Sequence, residues 1–254
     1  MDKPRIITII QARMASSRLP GKILEDLAGK TMLAWVVDRA RRAELVDEVV
    51  VATTTDPSDD PVVEFCQAQG YPVSRGSMHD VLDRYFQAAS LYQADIIVRL
   101  TADCPLIDPG MIDDNLQTFL AADPPLDFAA NRLPGDRSVP IGLDTEICTM
   151  AALEFAWNNA GEDHCREHVM PYFYEHPDQF NILHIRHQPD YGSYRWTVDT
   201  PEDLEVVRKI IAHFEGRDDF SWLEVLALVQ SRPEIMDANA GVRHKDYREV
   251  DDRK

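Results

Sequence analysis

Three cations stand within ten residues at Arg13, Arg18 and Lys22, in the stretch from Ile9 to Leu24 that reads IIQARMASSRLPGKIL, and no acid follows until Glu25. Guanidinium and ammonium groups set among small side chains suit an anion, because small residues let backbone N–H groups approach phosphate oxygens. The pattern is neither the G-x-G-x-x-G dinucleotide turn nor the G-x-x-x-x-G-K-[ST] P-loop, so the grip would fall on side-chain charge. Such cations are also often merely solvated, and Pro20-Gly21 is an ordinary turn signal. The composition tips the balance: 44 acidic residues against 26 basic ones give a formal charge of −18. Uncompensated cations in so acidic a chain point to a small anion in a pocket, and the overall charge argues against nucleic acid and anionic membrane as partners.

Two aspartates complement that loop. Asp103 follows the apolar run Ile96–Leu100, and Asp199 follows Arg195-Trp196-Thr197-Val198. Singly, each is explained as well by capping the helix that follows, with Thr200 as N-cap and Pro201 in the first turn of the second. Together, at the carboxyl ends of strands where open α/β sheets collect ligands, they become candidate metal ligands. Mg²⁺ takes one or two protein carboxylates and completes its shell with water and substrate phosphates. A cationic loop opposite two aspartates is the minimum for nucleotidyl transfer, which needs positioning and charge neutralisation more than a special nucleophile. His164, Cys165 and His168 suggest zinc less well, because no fourth ligand is evident; a hydrogen-bonded histidine is the better reading.

The elements that must position these groups alternate. β-Branched runs at 6–10, 49–53 and 96–100, with a weaker one at 71–74, read as buried strands. Between them lie amphipathic stripes such as Leu33, Val36, Val37 and Ala40, and Asp-Pro pairs at 56, 60 and 108 that open helices. This alternation predicts an α/β fold, a three-layer sandwich around a mostly parallel, Rossmann-like sheet. Residues 1–235 read as a single domain, with prolines punctuating an insertion or dimerisation region at about 123–190, and 236–254 as a polar tail. Strands are also expected at 182–186 and 195–198. Cys66, Cys104, Cys148 and Cys165 show no paired spacing, and no apolar stretch reaches membrane-spanning length, so a cytoplasmic protein with reduced thiols is expected.

The motifs ARMASSRLPGK and VDTPEDLE resemble those of the cytidylyltransferases that activate 3-deoxy-octulosonate and acylneuraminate sugars. With Arg75-Gly76-Ser77 and Asp80–Tyr85, then TADCPLID, GLDTE and REHVMPYFYEHP in order, the chain is most similar to the spore-coat-polysaccharide branch of that family. The resemblance implies the nucleotide-diphospho-sugar transferase fold and a Mg²⁺-dependent transfer of CMP from CTP to an acceptor, with release of pyrophosphate. It implies that Arg13, Arg18 and Lys22 neutralise the triphosphate, that the Ala12 backbone meets the nucleoside, and that Arg75 holds the cytosine. Asp103 and Asp199 would bind the metal, so the catalytic set is Arg13, Lys22, Asp103 and Asp199.

Asp144, Glu146, Arg166, Glu167 and His168 are candidate contacts for a small acidic or sugar acceptor, with an ordinary surface role for each an equal alternative. Ala102-Asp103-Cys104-Pro105 stands where octulosonate enzymes carry a Gly-Asp-Glu-Pro type sequence, which leaves the acceptor open. The stretch Tyr172-Phe173-Tyr174 resembles a dimerising segment of a homodimer, and core packing explains it equally well. Rival readings are a glycosyltransferase using a nucleotide sugar, a CMP-transferase acting on a phosphonate, and a non-catalytic nucleotide-binding protein on the same fold.

Overall fold

The computed structural model describes residues 3–243 and residue 248. Its strands are β1 (Ile6–Gln11), β2 (Asp26–Leu27), β3 (Lys30–Thr31), β4 (Glu48–Thr54), β5 (Val73–Gly76), β6 (Ile96–Thr101), β7 (Phe128–Ala130), β8 (Arg132–Leu133), β9 (Asp136–Arg137), β10 (Glu146–Thr149) and β11 (Ile182–His184). Its α-helices are α1 (Met32–Ala40), α2 (Asp60–Gln69), α3 (Val81–Leu91), α4 (Pro109–Leu120), α5 (Met150–Asn159), α6 (Asp163–His168), α7 (Pro171–Glu175), α8 (Pro201–His213) and α9 (Trp222–Ser231). Seven strands form one sheet in the order β11-β7-β10-β6-β1-β4-β5, parallel except for β10, which runs antiparallel to both neighbours.

Residues of β1 alternate between two cores, as a strand buried on both faces must. Ile6 and Ile10 pack with α1, α2 and α4 on one side, whereas Ile7 and Ile9 pack with α3, α5 and α7 on the other. The helices and the central sheet make the expected three layers. A third cluster joins α8 and α9 to Trp35, Leu106 and Trp196 beside the carboxyl ends of the central strands. Local chemistry fixes the helix starts. Thr200 accepts from the Asp203 N–H while the Asp203 side chain accepts from the Thr200 N–H, with Pro201 in the first turn. Asp108 caps α4 through Oδ1 and accepts the Trp222 N–H through Oδ2 at 2.8 Å, which fastens the start of α9 to the start of α4.

Within residues 123–190, β7, β10 and β11 join the main sheet, and the β8–β9 ribbon is a separate hairpin beside it. Strands of three or four residues are too short to show a period-2 signal, which is why the alternation lapses there. Residues 195–198 form no strand; the segment crosses the sheet's end, with Trp196 N–H donating to Ile141 and Val198 N–H to Asp103. The expected polar tail is ordered at its start. Residues 233–239 coil into a 3₁₀ helix that buries Ile235 and Asn239, and Asn239 donates to the Asp203 carboxylate at 3.0 Å. Apart from residue 248, the rest of that tail beyond 243 lies outside the described residues. Tyr172 and Phe173 turn inward, Phe173 stacking on Phe128 at 4.9 Å between centroids, so these two rings are core, while Tyr174 is half-buried. Among the described residues no helix is long and apolar enough to cross a membrane.

Candidate active site

A cleft of about 540 Å³ opens where β1 and β6 end. Its floor is the cationic loop, which the chain folds tightly. Gly21, at φ +74, turns the backbone so that its N–H donates to Met14 at 2.9 Å. Asp59, fully buried, accepts the Met14 N–H at 2.6 Å through Oδ1 and the Thr54 hydroxyl through Oδ2. This anchor in the 3₁₀ turn before α2 escaped the sequence reading, because Asp59 sits between two other aspartates and looks solvated.

Lys22, Asp103 and Asp199 converge. The Lys22 ammonium donates to Asp103 Oδ2 at 2.7 Å, to the Val198 carbonyl at 2.8 Å and to Asp199 Oδ1 at 2.9 Å. The two acidic segments are stitched together, since the Asp103 carbonyl accepts the Val198 N–H at 2.8 Å and the Thr197 hydroxyl at 3.2 Å. Gly142 makes room for that crossing: a Cβ there would lie 2.7 Å from the Thr197 nitrogen. Asp199 Oδ2 accepts from Arg195 at 2.9 Å and pairs with Arg18 at 3.1 Å. Burial works against the Asp199 carboxylate, yet Lys22, Arg18 and Arg195 outweigh it and hold its pKa below the usual range. Burial likewise works against the Lys22 ammonium, and the two carboxylates hold its pKa above the ordinary value.

Arg195 is a positioning residue that sequence reasoning missed. It bridges Asp199 and the buried Asp203, donating to the latter through Nε at 2.8 Å and Nη2 at 2.9 Å. Its spacing of four and eight residues from those acids was the available signal.

The other expected residues divide. Ala12, Arg13, Arg18, Asp144, Glu146, Glu167 and His168 line the same cleft. Arg13 pairs with Glu167 at 3.7 Å. Asp144 and Glu146 face arginines: Arg137 donates to Asp144 at 3.0 Å through Nη2, and Arg99 pairs with Glu146, with Arg132 at 3.8 Å from both acids. Neither Arg75 nor Arg166 joins them. Arg75 lies on the edge strand β5, held by the Thr54 carbonyl at 2.7 Å and Asp60 at 2.7 Å, away from the cleft. Arg166 turns the other way on α6, to Asp80 and the Trp157 carbonyl.

Arg84, nine residues beyond Arg75, lines the cleft instead. It is buried, its Nε has no hydrogen-bond partner among the described residues, and burial pushes its guanidinium down to about 10. An arginine on the inner face of α3 was the overlooked sign. His164 is hydrogen-bonded, to Glu175 at 2.9 Å, with Cys165 beside both; His168 stands apart from them in the cleft wall.

The oxygens around Lys22 are hard donors already converging on one cation, a set that suits Mg²⁺. An α/β sheet with a cationic loop and an acid pair beyond its carboxyl edge, one acid after β6 and one on the segment that crosses the sheet's end, defines a nucleotidyltransferase. The chain belongs to the cytidylyltransferase family, whose model matches residues 7–229. It is 31% identical over 236 residues to the spore coat polysaccharide biosynthesis protein SpsF of Bacillus subtilis, covering 90% of this chain and 95% of that one. Among solved structures it is similar to a cytidylyltransferase from Leptospira borgpetersenii, with TM-score 0.89 and 35% identity over 95% of this chain and 100% of the other. It is also similar to a CMP:2-keto-3-deoxy-manno-octonic acid synthetase complexed with CTP, with TM-score 0.65 and 25% identity over 83% and 99%.

Proposed function

We propose that this protein is a Mg²⁺-dependent enzyme that transfers CMP from CTP to a sugar acid or related hydroxyl acceptor, releasing pyrophosphate, in the synthesis of a surface polysaccharide. The observation that carries the reading is the meeting of Lys22, Asp103 and Asp199 within hydrogen-bond distance, with Arg18 on the same carboxylate. An acceptor oxygen bonds to the α-phosphorus as the bond to the β-phosphate oxygen breaks, and the electron pair leaves with pyrophosphate. Arg13, Arg18 and Lys22 offset the charge that grows on that leaving group. Asp103 takes the hydroxyl proton. Asp103 and Asp199 would hold the metal, which supplies charge neutralisation at the phosphates. The wall formed by Asp144, Glu146, Glu167 and His168, with Arg132 and Arg137, offers both donors and acceptors to a polyhydroxylated acid.

The CTP complex of the octonic acid synthetase and the SpsF relative support the nucleotide and the pathway respectively. Pyrophosphate release from CTP, screened against sugar acids and phosphonates, tests the proposal. Release that requires CTP and one such acceptor supports it. Turnover only with a preformed nucleotide sugar would assign a glycosyltransferase instead, and CTP binding indifferent to Mg²⁺ with no turnover would assign a binding protein.

A further inference from the structure

Lys22 occupies the position a metal-binding carboxylate pair would be expected to keep for its ion. Its ammonium has three hydrogens, and all three are used on oxygens: one each from Asp103 and Asp199, and the Val198 carbonyl. The remaining oxygens of the pair are engaged too. Asp103 Oδ1 accepts from the Thr101 hydroxyl at 2.6 Å, and Asp199 Oδ2 faces Arg195 and Arg18. Lys22, Arg18 and Arg195 balance Asp103, Asp199 and Asp203, so this cluster presents no net negative charge. A lone divalent cation approaching it meets a full coordination set and a positive charge at its centre. A bare carboxylate pair would offer the opposite.

The geometry points to an exchange: the Lys22 ammonium is a resident substitute for the divalent ion, and it yields the two carboxylates only when a triphosphate arrives to receive it. This rests on the proposed reading of the cleft as a metal–nucleotide site. Two features allow the movement. The lysine reaches its partners through a flexible four-carbon stem, from the turn that opens at Gly21. Arg18, only 3.1 Å from Asp199, is drawn to the same phosphates. A metal–triphosphate, negative overall, is attracted to Lys22 and Arg18, and its cation takes the oxygens they release. Metal and nucleotide therefore bind as a unit, and free metal is rejected. Pairing with Lys22 also spares the fold two unpaired, half-buried carboxylates.

The test measures Mn²⁺ binding to the full chain by electron paramagnetic resonance of the free ion, without turnover. Wild type and Lys22→Met are compared, each with and without an α,β-methylene analogue of CTP, after correction for Mn²⁺ held by the analogue alone. Wild type without nucleotide is expected to bind Mn²⁺ weakly, and Lys22→Met to bind it about tenfold more tightly or better. Adding the analogue to wild type is expected to tighten Mn²⁺ by at least the same factor. If folded Lys22→Met gains nothing, or if wild type holds Mn²⁺ equally with and without nucleotide, the exchange is wrong, and the second comparison decides the matter even if the variant does not fold. Wild type that binds neither Mn²⁺ nor the analogue would instead overturn the reading of the site itself.

Discussion

Replacing Arg195 by methionine keeps the length of the side chain and removes its charge, and the consequences can be worked through. Arg195 makes two hydrogen bonds to Asp203, which is fully buried, and one to Asp199. Removing one partner of a buried pair strands the other charge, at a cost of about 3–5 kcal/mol. The lower end applies here, because Asp203 keeps the N–H groups of Asp199 and Thr200 and the amide of Asn239. Arg195→Met is therefore expected to lose about 3 kcal/mol in urea denaturation, a fall in Tm of roughly 6–12 °C for a chain of this size. Asp203→Asn in the same chain should recover part of that loss, with a coupling of about 2 kcal/mol, since the stranded carboxylate is gone. A loss below about 1 kcal/mol, the value of a solvated pair, would refute the argument that Arg195 and Asp203 form the buried keystone under Asp199.

Four other outcomes follow from the same geometry. Lys22→Ala should weaken binding of CTP more than that of CMP in calorimetry; equal losses would separate Lys22 from the triphosphate. Arg84→Met should raise KM for CTP by about tenfold or more, the worth of a charged hydrogen bond, while Arg75→Met leaves it unchanged; the reverse ranking would restore Arg75 to the nucleotide. Gly142, at φ +111 against the backbone of Trp196 and Thr197, should lose about 2 kcal/mol or more as alanine, and a neutral effect would show that this crossing is loose.

Acid should act in part through Asp199, beside Asp203 and Asp218, whose carboxyls are also held low by ion pairs. The folded pKa of Asp199 is depressed, so its ion pairs contribute stability above the unfolded carboxyl value of about 4, and that stability disappears as pH falls through the folded value. Asp199→Asn should partly flatten the acid limb of the urea-midpoint profile while leaving pH 6–8 level, and an unchanged acid limb would contradict this.

The sheet was readable where strands are long, β-branched and buried on both faces, as in Ile6–Ile10 and Ile96–Leu100. It was unreadable where three or four residues join a strand that larger neighbours already define, as in β7 and β10. Lys22, Asp103 and Asp199 could be singled out because charge stands out against its background, and the structure brings the three together. Asp59 and Asp203 could not be, because one aspartate among several reads as solvated until its burial is seen. Arg75 and Arg166 stand outside the cleft for a related reason: sequence places an arginine near a site without saying which way its side chain leaves the backbone. At Arg75, the carbonyls at the end of β4 claim the guanidinium first; at Arg166, Asp80 does.

The most direct test of the central claim is CTP-dependent pyrophosphate release by wild type and by Asp103→Asn at saturating acceptor and varied Mg²⁺. The geometry predicts a wild-type rate that vanishes with chelation, and a folded variant slower by orders of magnitude at every metal concentration. A variant as fast as wild type at low Mg²⁺ would contradict it.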